Sequence, residues 1–138
     1  MIKHIEWKYS KEAINQGHIQ ALEESFGINL PDSYKLLVLS YHGARPNKNR
    51  FDTRTKSGYV LKTFLPITER YDGNIIKVLS WLIDRLPAKL LPFASDAAGN
   101  YLCFHFNTVD PEIVLWKHET VTTERISSTF DQFISSLY

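Results

Sequence analysis

Three apolar runs in the second half of the chain, Lys89 to Ala94, Tyr101 to Phe106 and Glu112 to His118, are separated by turns of only six and five residues. A parallel crossover needs a dozen or more residues, so these runs have to pair antiparallel. The middle run alternates, with Leu102, Phe104 and Phe106 on one side and Tyr101, Cys103 and His105 on the other. Its preceding turn, Ser95 to Asn100, holds Gly99 where a positive φ is needed. The threonine-rich stretch Thr120 to Arg125 suits a short edge strand. An earlier strand is expected over Tyr59 to Ile67.

Helical spacing accounts for most of the rest. Ser10 to Phe26 carries Ile14, His18, Leu22 and Phe26 largely on one face, with Ser10 as N-cap and Gly27 just past the end. Pro31 suits the first position of a second helix that runs through Tyr34, Leu37, Val38 and Tyr41 to Gly43. The third, from Ile75 to Leu86 and ended by Pro87, has the widest apolar stripe in the chain. A closing helix starts near Ser127 or Ser128 and shows Phe130, Phe133, Ile134 and Leu137 at i, i+3, i+4 and i+7. This order predicts an α+β fold, a single mainly antiparallel sheet of about five or six strands with helices packed on one side. Residues 1–138 read as one domain, since no linker divides them and 138 residues suffice for one substantial core.

Composition narrows the class. An aromatic share of 13% excludes a disordered chain, and one cysteine excludes a disulfide framework or a multi-cysteine zinc site. No apolar run approaches the ~20 residues of a membrane span, and Met1 to Ser10 lacks a signal peptide's apolar core, so the expected location is cytoplasmic, with no membrane partner. A net charge of +1 supplies no global field toward nucleic acid.

The search for catalytic chemistry returns little. The chain has no Walker-type loop, no G-x-G-x-x-G and no G-x-S-x-G. His118-Glu119 lacks the second histidine of a zincin helix, and His4, His18, His42, His105 and His118 share no metal-ligand spacing. Cys103 sits within an alternating strand, where a buried structural thiol is expected. Burial is also the expectation for the tryptophans, although Trp81 falls beside the main stripe of its helix. The reading is no enzyme, no cofactor and no metal.

Charge is segregated instead. Arg45, Lys48, Arg50, Arg54 and Lys56 face a single acid, Asp52, in one polar stretch that also holds Phe51. That stretch can be a solvated loop, a partner-binding loop, or a nucleic-acid contact with Phe51 and Tyr59 as stacking rings. From Leu90 onward two basic residues stand against six acidic ones, among them Asp96, Asp110, Glu112 and Glu119. These four can form an acidic rim patch that steers a basic partner, or merely a solvated face.

A family pattern runs through the same residues. Gly27-Ile28-Asn29-Leu30-Pro31-Asp32-Ser33-Tyr34 resembles the G-x-x-L-P-x-x-Y helix start of the SUKH superfamily, with His42-Gly43-Ala44 where that family has Asn-Gly-Gly. Pro92 to Gly99 is similar to its P-F-A-x-D-x-x-G strand and turn, and Trp116-Lys117-His118-Glu119 to its W-x-H-E strand end. Ser128 to Ile134 is similar to its closing S-F-x-x-F-L helix with one residue inserted. The resemblance implies a non-catalytic domain whose bacterial members are mostly immunity proteins. They silence the toxic C-terminal domain, often a nuclease, of a polymorphic toxin, while fungal relatives regulate cell-wall assembly.

The resulting expectation is an immunity protein that covers a cognate toxin domain stoichiometrically, acting as a monomer or homodimer. Its contact residues would be drawn from Asp96, Asp110, Glu112 and Glu119, with Arg45, Arg50 and Arg54 as a second patch. A regulatory scaffold and a nucleic-acid-binding module are the alternatives.

Overall fold

In a computed structural model, which describes residues 4–107 and 110–138, strand β1 (Trp7–Lys8) precedes two helices, α1 (Gln16–Phe26) and α2 (Asp32–Ser40). Strands β2 (Arg45–Pro46), β3 (Arg50–Phe51) and β4 (Tyr59–Phe64) lead to α3 (Ile75–Leu82). Then come β5 (Leu90–Asp96), β6 (Tyr101–His105), β7 (Glu112–Lys117), β8 (Thr122–Ser127) and α4 (Phe130–Ser136). Strands β3 to β8 form one six-stranded sheet in sequence order, every neighbour antiparallel, and β1 pairs with β2 in a separate ribbon. The α+β expectation therefore holds. From β5 to β8 short turns force the antiparallel pairing and keep the strands in chain order, whereas β4 joins β5 through the segment that holds α3.

Local chemistry moves some boundaries. The first helix begins at Gln16, not after Ser10, because Asn15 and His18 cap it reciprocally: Asn15 Oδ1 accepts from the His18 amide at 3.2 Å and His18 Nδ1 from the Asn15 amide at 3.1 Å. Two orphan donors satisfied at once outweigh a lone serine. Gly27 ends the helix in the left-handed conformation, as expected, at φ +62°. Pro31 caps the second helix from just outside it, and Tyr41 is its C-terminal cap. The polar stretch after Gly43 is not a plain loop, since β2 and β3 lie inside it.

The core is a ring cluster. Phe93 and Phe104, on adjacent strands, stack with centroids 4.4 Å apart, and Tyr34 of α2 and Phe130 of α4 meet Phe104 edge-on and tilted. Such pairs add to the area term of burial. The opposite face of β6 and β7 is covered as well: Cys103 and Trp116 are fully buried there, and Arg85, just past α3, lies over the Trp116 ring at 5.8 Å. Helices α2 and α4 thus share one side of the sheet, while Arg85, in the turn after α3, reaches the other. Burial pushes the Cys103 thiol well above its ordinary pKa, which leaves it an inert packing group. Trp81 departs from the expected burial and is 56% exposed, because α3 turns Ile75, Val78 and Leu82 inward and has no second layer above it.

The sheet's two ends are tied together. Thr55, between β3 and β4, bonds to Glu124 on β8. The terminal residue Tyr138 exchanges both backbone bonds with Arg50, closing off β3 as an open edge.

Candidate partner interface

The expected acidic patch does not assemble. Asp96 is buried, and its carboxylate accepts from the amides of Ala98 (3.0 Å) and Asn100 (2.7 Å) and from Asn100 Nδ2 (2.9 Å). It shapes its own turn and is withdrawn as a contact residue. Glu112 is held by Arg125 Nε at 2.8 Å and faces His105 at 3.9 Å. Asp110 and Glu119 are exposed, but they bracket β7 from opposite ends. At strand rise, that separates Glu112 from Glu119 by roughly 20 Å. Glu124 is engaged by Lys117 and Thr55. Alternation and turn placement scatter what the composition groups together.

The basic stretch is folded, not simply solvated. Asp52 accepts from the Gly58 amide at 2.8 Å and from the Tyr138 hydroxyl at 2.6 Å, which holds its carboxyl below the usual carboxylate range. Phe51 is fully buried and stacks on Tyr59, so it is not a stacking platform for bases. Lys56 sits over the other partner of that stack, 4.7 Å from the Tyr59 centroid. Arg54 is exposed at the hairpin's turn.

Cations do converge one strand away. In the β1–β2 ribbon Lys8 lies directly opposite Arg45. Both line a groove of about 350 Å³ with Tyr9, Asn47 and, from β4, Lys62. Arg50, opposite Val60 on β4, shares the sheet face of Val60 and Lys62. No carboxylate lines the groove, and among the described residues none of Lys8, Arg45 or Lys62 has an ion-pair partner. Like charges opposed across two strands disfavour a ribbon, and the Arg45–Tyr9 contact offsets part of that cost. The neighbouring Lys11 has its pKa lowered, first by burial and then by Arg45.

Tyr9 completes the face. It is 74% exposed, it adopts φ +61°, and the Arg45 guanidinium lies over its ring at 5.5 Å. A non-glycine residue in the left-handed region is uncommon and costs energy. The arrangement is chemically suited to carboxylates or phosphates, with an aromatic ring at its side. Sequence reasoning found Arg45 and Arg50 but missed Lys8, Tyr9 and Lys62. Only the ribbon register and the β3–β4 pairing bring those positions beside Arg45.

The histidines take structural roles where the structure engages them. His42 is buried, with Nδ1 donating to the Glu12 carbonyl at 2.8 Å and Nε2 accepting from the Ile67 amide at 2.8 Å. Burial, then Lys11 and His18, push its pKa down to about 4. Among the described residues no three His, Cys, Asp or Glu side chains are grouped to hold a metal ion, and no helix is long and apolar enough to cross a membrane.

Residues 13–136 match the model of the SMI1 / KNR4 family (SUKH-1). The chain is also similar to a Bacillus subtilis (strain 168) protein described as SPbeta prophage-derived uncharacterized protein YokK, at 23% identity over 141 residues, covering 86% of this chain and 72% of that protein.

Proposed function

This chain belongs to the SMI1 / KNR4 family (SUKH-1), and from that membership we propose that it is an immunity protein, binding the toxic domain of a cognate polymorphic toxin and covering it stoichiometrically. The observation that carries the reading is the unpaired cationic face, in which Lys8 stands opposite Arg45 with Lys62 alongside. Charges kept uncompensated at a cost to the ribbon serve recognition better than stability. No step of chemistry is involved; the protein works by occupying surface, in the cytoplasm where the toxin would act.

The face favours an acidic epitope on the toxin. If that toxin is a nuclease, the contact lies away from the cationic groove that holds its own substrate. The test is to mix the protein with the toxin domain encoded beside its gene. A 1:1 complex whose association slows as salt rises is expected, together with rescue of cells expressing the toxin. No complex, or a complex indifferent to Arg45→Glu and Lys62→Glu, overturns the reading.

The same face supports a second reading, a nucleic-acid-binding module with Tyr9 as its stacking ring. Binding of single-stranded RNA or DNA at low salt, lost on Tyr9→Ala, favours it; absence of binding under those conditions removes it.

A further inference from the structure

Tyr9 occupies a position that the fold does not need a tyrosine to fill. The chain has to turn there, because Lys8 is held in register opposite Arg45 while the Lys11 amide donates to the His42 carbonyl at 2.7 Å. The turn takes φ +61° at residue 9, a conformation that glycine or asparagine reaches at lower cost than tyrosine. The side chain packs poorly in return. It is 74% exposed and lies outside the hydrophobic core cluster, whereas Trp7 on the same ribbon stacks on Tyr41 and meets Phe64 edge-on. Among the described residues the group set against the Tyr9 ring is the Arg45 guanidinium, 5.5 Å from its centroid.

That contact has a use outside the chain. An exposed arginine samples many rotamers, and this freedom has to be frozen before its planar fork can grip an anion. A guanidinium laid over a ring loses much of it beforehand, yet keeps its N–H donors free at its edge for a bidentate acceptor. Lys8 and Lys62 line the same groove, both exposed, and among the described residues no carboxylate lines it. The acceptor therefore comes from another molecule.

We propose that Tyr9 and Arg45 form one preorganised anchor of the partner interface, in which Tyr9 holds the Arg45 guanidinium ready for an Asp or Glu carboxylate of the partner. Tyr9 is thus a positioning residue, and Lys8 and Lys62 add attraction around the same acid. The inference rests on the immunity reading for the kind of anion, since a protein partner supplies carboxylates and a nucleic acid supplies phosphates.

Tyr9→Gly tests it, because it removes the ring where glycine suits the backbone. Relief of the backbone and loss of the ring contact oppose one another, so the melting temperature should stay within about 3 °C of the parent. Affinity for the toxin domain encoded beside the gene should nevertheless fall about 10-fold, chiefly through faster dissociation. Restoring the ring as Tyr9→Phe should recover it. In an Arg45→Gln background, Tyr9→Gly should cost less than about twofold, because the fork it positions is already gone. Undiminished affinity in Tyr9→Gly overturns the proposal, as does an equal loss without Arg45 or a large drop in melting temperature.

Hexaglutamate separates this inference from the immunity reading. Titrated into the protein alone at low salt, it should shift the NMR signal of the Arg45 Nε–H, and Tyr9→Gly should weaken that binding several-fold. A parent protein whose Arg45 signal does not respond overturns the anchor. A normal response to hexaglutamate without a toxin complex supports the anchor and overturns the immunity reading. An oligothymidylate of equal charge that binds more tightly than hexaglutamate makes the anion a phosphate and overturns the carboxylate assignment.

Discussion

Thr55 and Glu124, 69 residues apart in sequence, join opposite ends of the six-stranded sheet: the Thr55 hydroxyl donates to Glu124 Oε1 at 2.6 Å and the Thr55 amide to the same oxygen at 3.0 Å. Lys117 engages the second oxygen. These bonds, with Lys117 first among them, draw the Glu124 carboxyl down to about 2. The β3–β4 hairpin that carries Arg50 and Arg54 is positioned from the far side of the sheet by one side chain.

Glu124→Ala should therefore loosen that hairpin at Thr55, while Tyr138 still holds it at Arg50 and Asp52, without unfolding the core. The expected cost is about 1–2 kcal/mol, since hydrogen bonds to a charged group are lost at a partly exposed site. Hydrogen exchange at the Thr55 amide should accelerate well beyond what global stability explains, while β6 amides keep their protection. Equal acceleration at both would mean that the tie is not local.

Asp96 is a fold residue. Asp96→Ala leaves the Ala98 amide and the buried Asn100 amide without their acceptor, and about 1–3 kcal/mol of stability should go with it. Binding to a partner, measured below the lowered melting temperature, should be unchanged. A loss of affinity with stability intact would return Asp96 to the interface.

The His42 ring sets a pH dependence. Its pKa is about 4 in the fold against an ordinary 6.5. Above pH 6.5 the ring is neutral in both states and contributes no slope. As pH falls below 6.5 the unfolded chain takes up a proton that the folded chain does not, so stability falls until pH 4. The total is about 2–3 kcal/mol. Urea midpoints between pH 7 and 4 should show this decline superimposed on that of the carboxylates. His42→Asn should remove the part between pH 6.5 and 5, and an unchanged slope there would contradict the assignment.

On the cationic face, Arg45→Glu with Lys62→Glu should weaken binding of the toxin domain by about 10- to 100-fold, mainly through slower association. Reversing Lys8 alone should raise stability slightly, because an opposite charge would then face Arg45 across the ribbon. Calorimetric unfolding of Lys8→Glu checks the second statement independently of any partner.

Short turns and alternation in the stretch from Leu90 to Lys117 were enough to specify antiparallel strands in chain order, because local chain length leaves no other pairing. Glycine at 27 and the phenylalanine spacing of the last helix were equally readable, being consequences of neighbours a few residues away. The start of α1 was not: Asn15 and His18 form a reciprocal cap that the histidine disguises. Nor was the exposure of Trp81, which depends on whether a second layer covers α3. The candidate site was legible only in part. Arg45 and Arg50 lie in a visibly basic stretch, but Lys8 and Lys62 become their neighbours through strand register between distant segments. Asp96, chosen for its charge, is turned inward by the turn it caps. Sequence by itself determined the main helices and the antiparallel pairing of the strands from Leu90 to Lys117, since those follow from local pattern, but not the short strands β1, β2 and β3. Which charges are paired, buried or left bare was decided by the tertiary structure alone, because electrostatics acts through distance in space and two charges far apart in the chain carry no local signal of meeting.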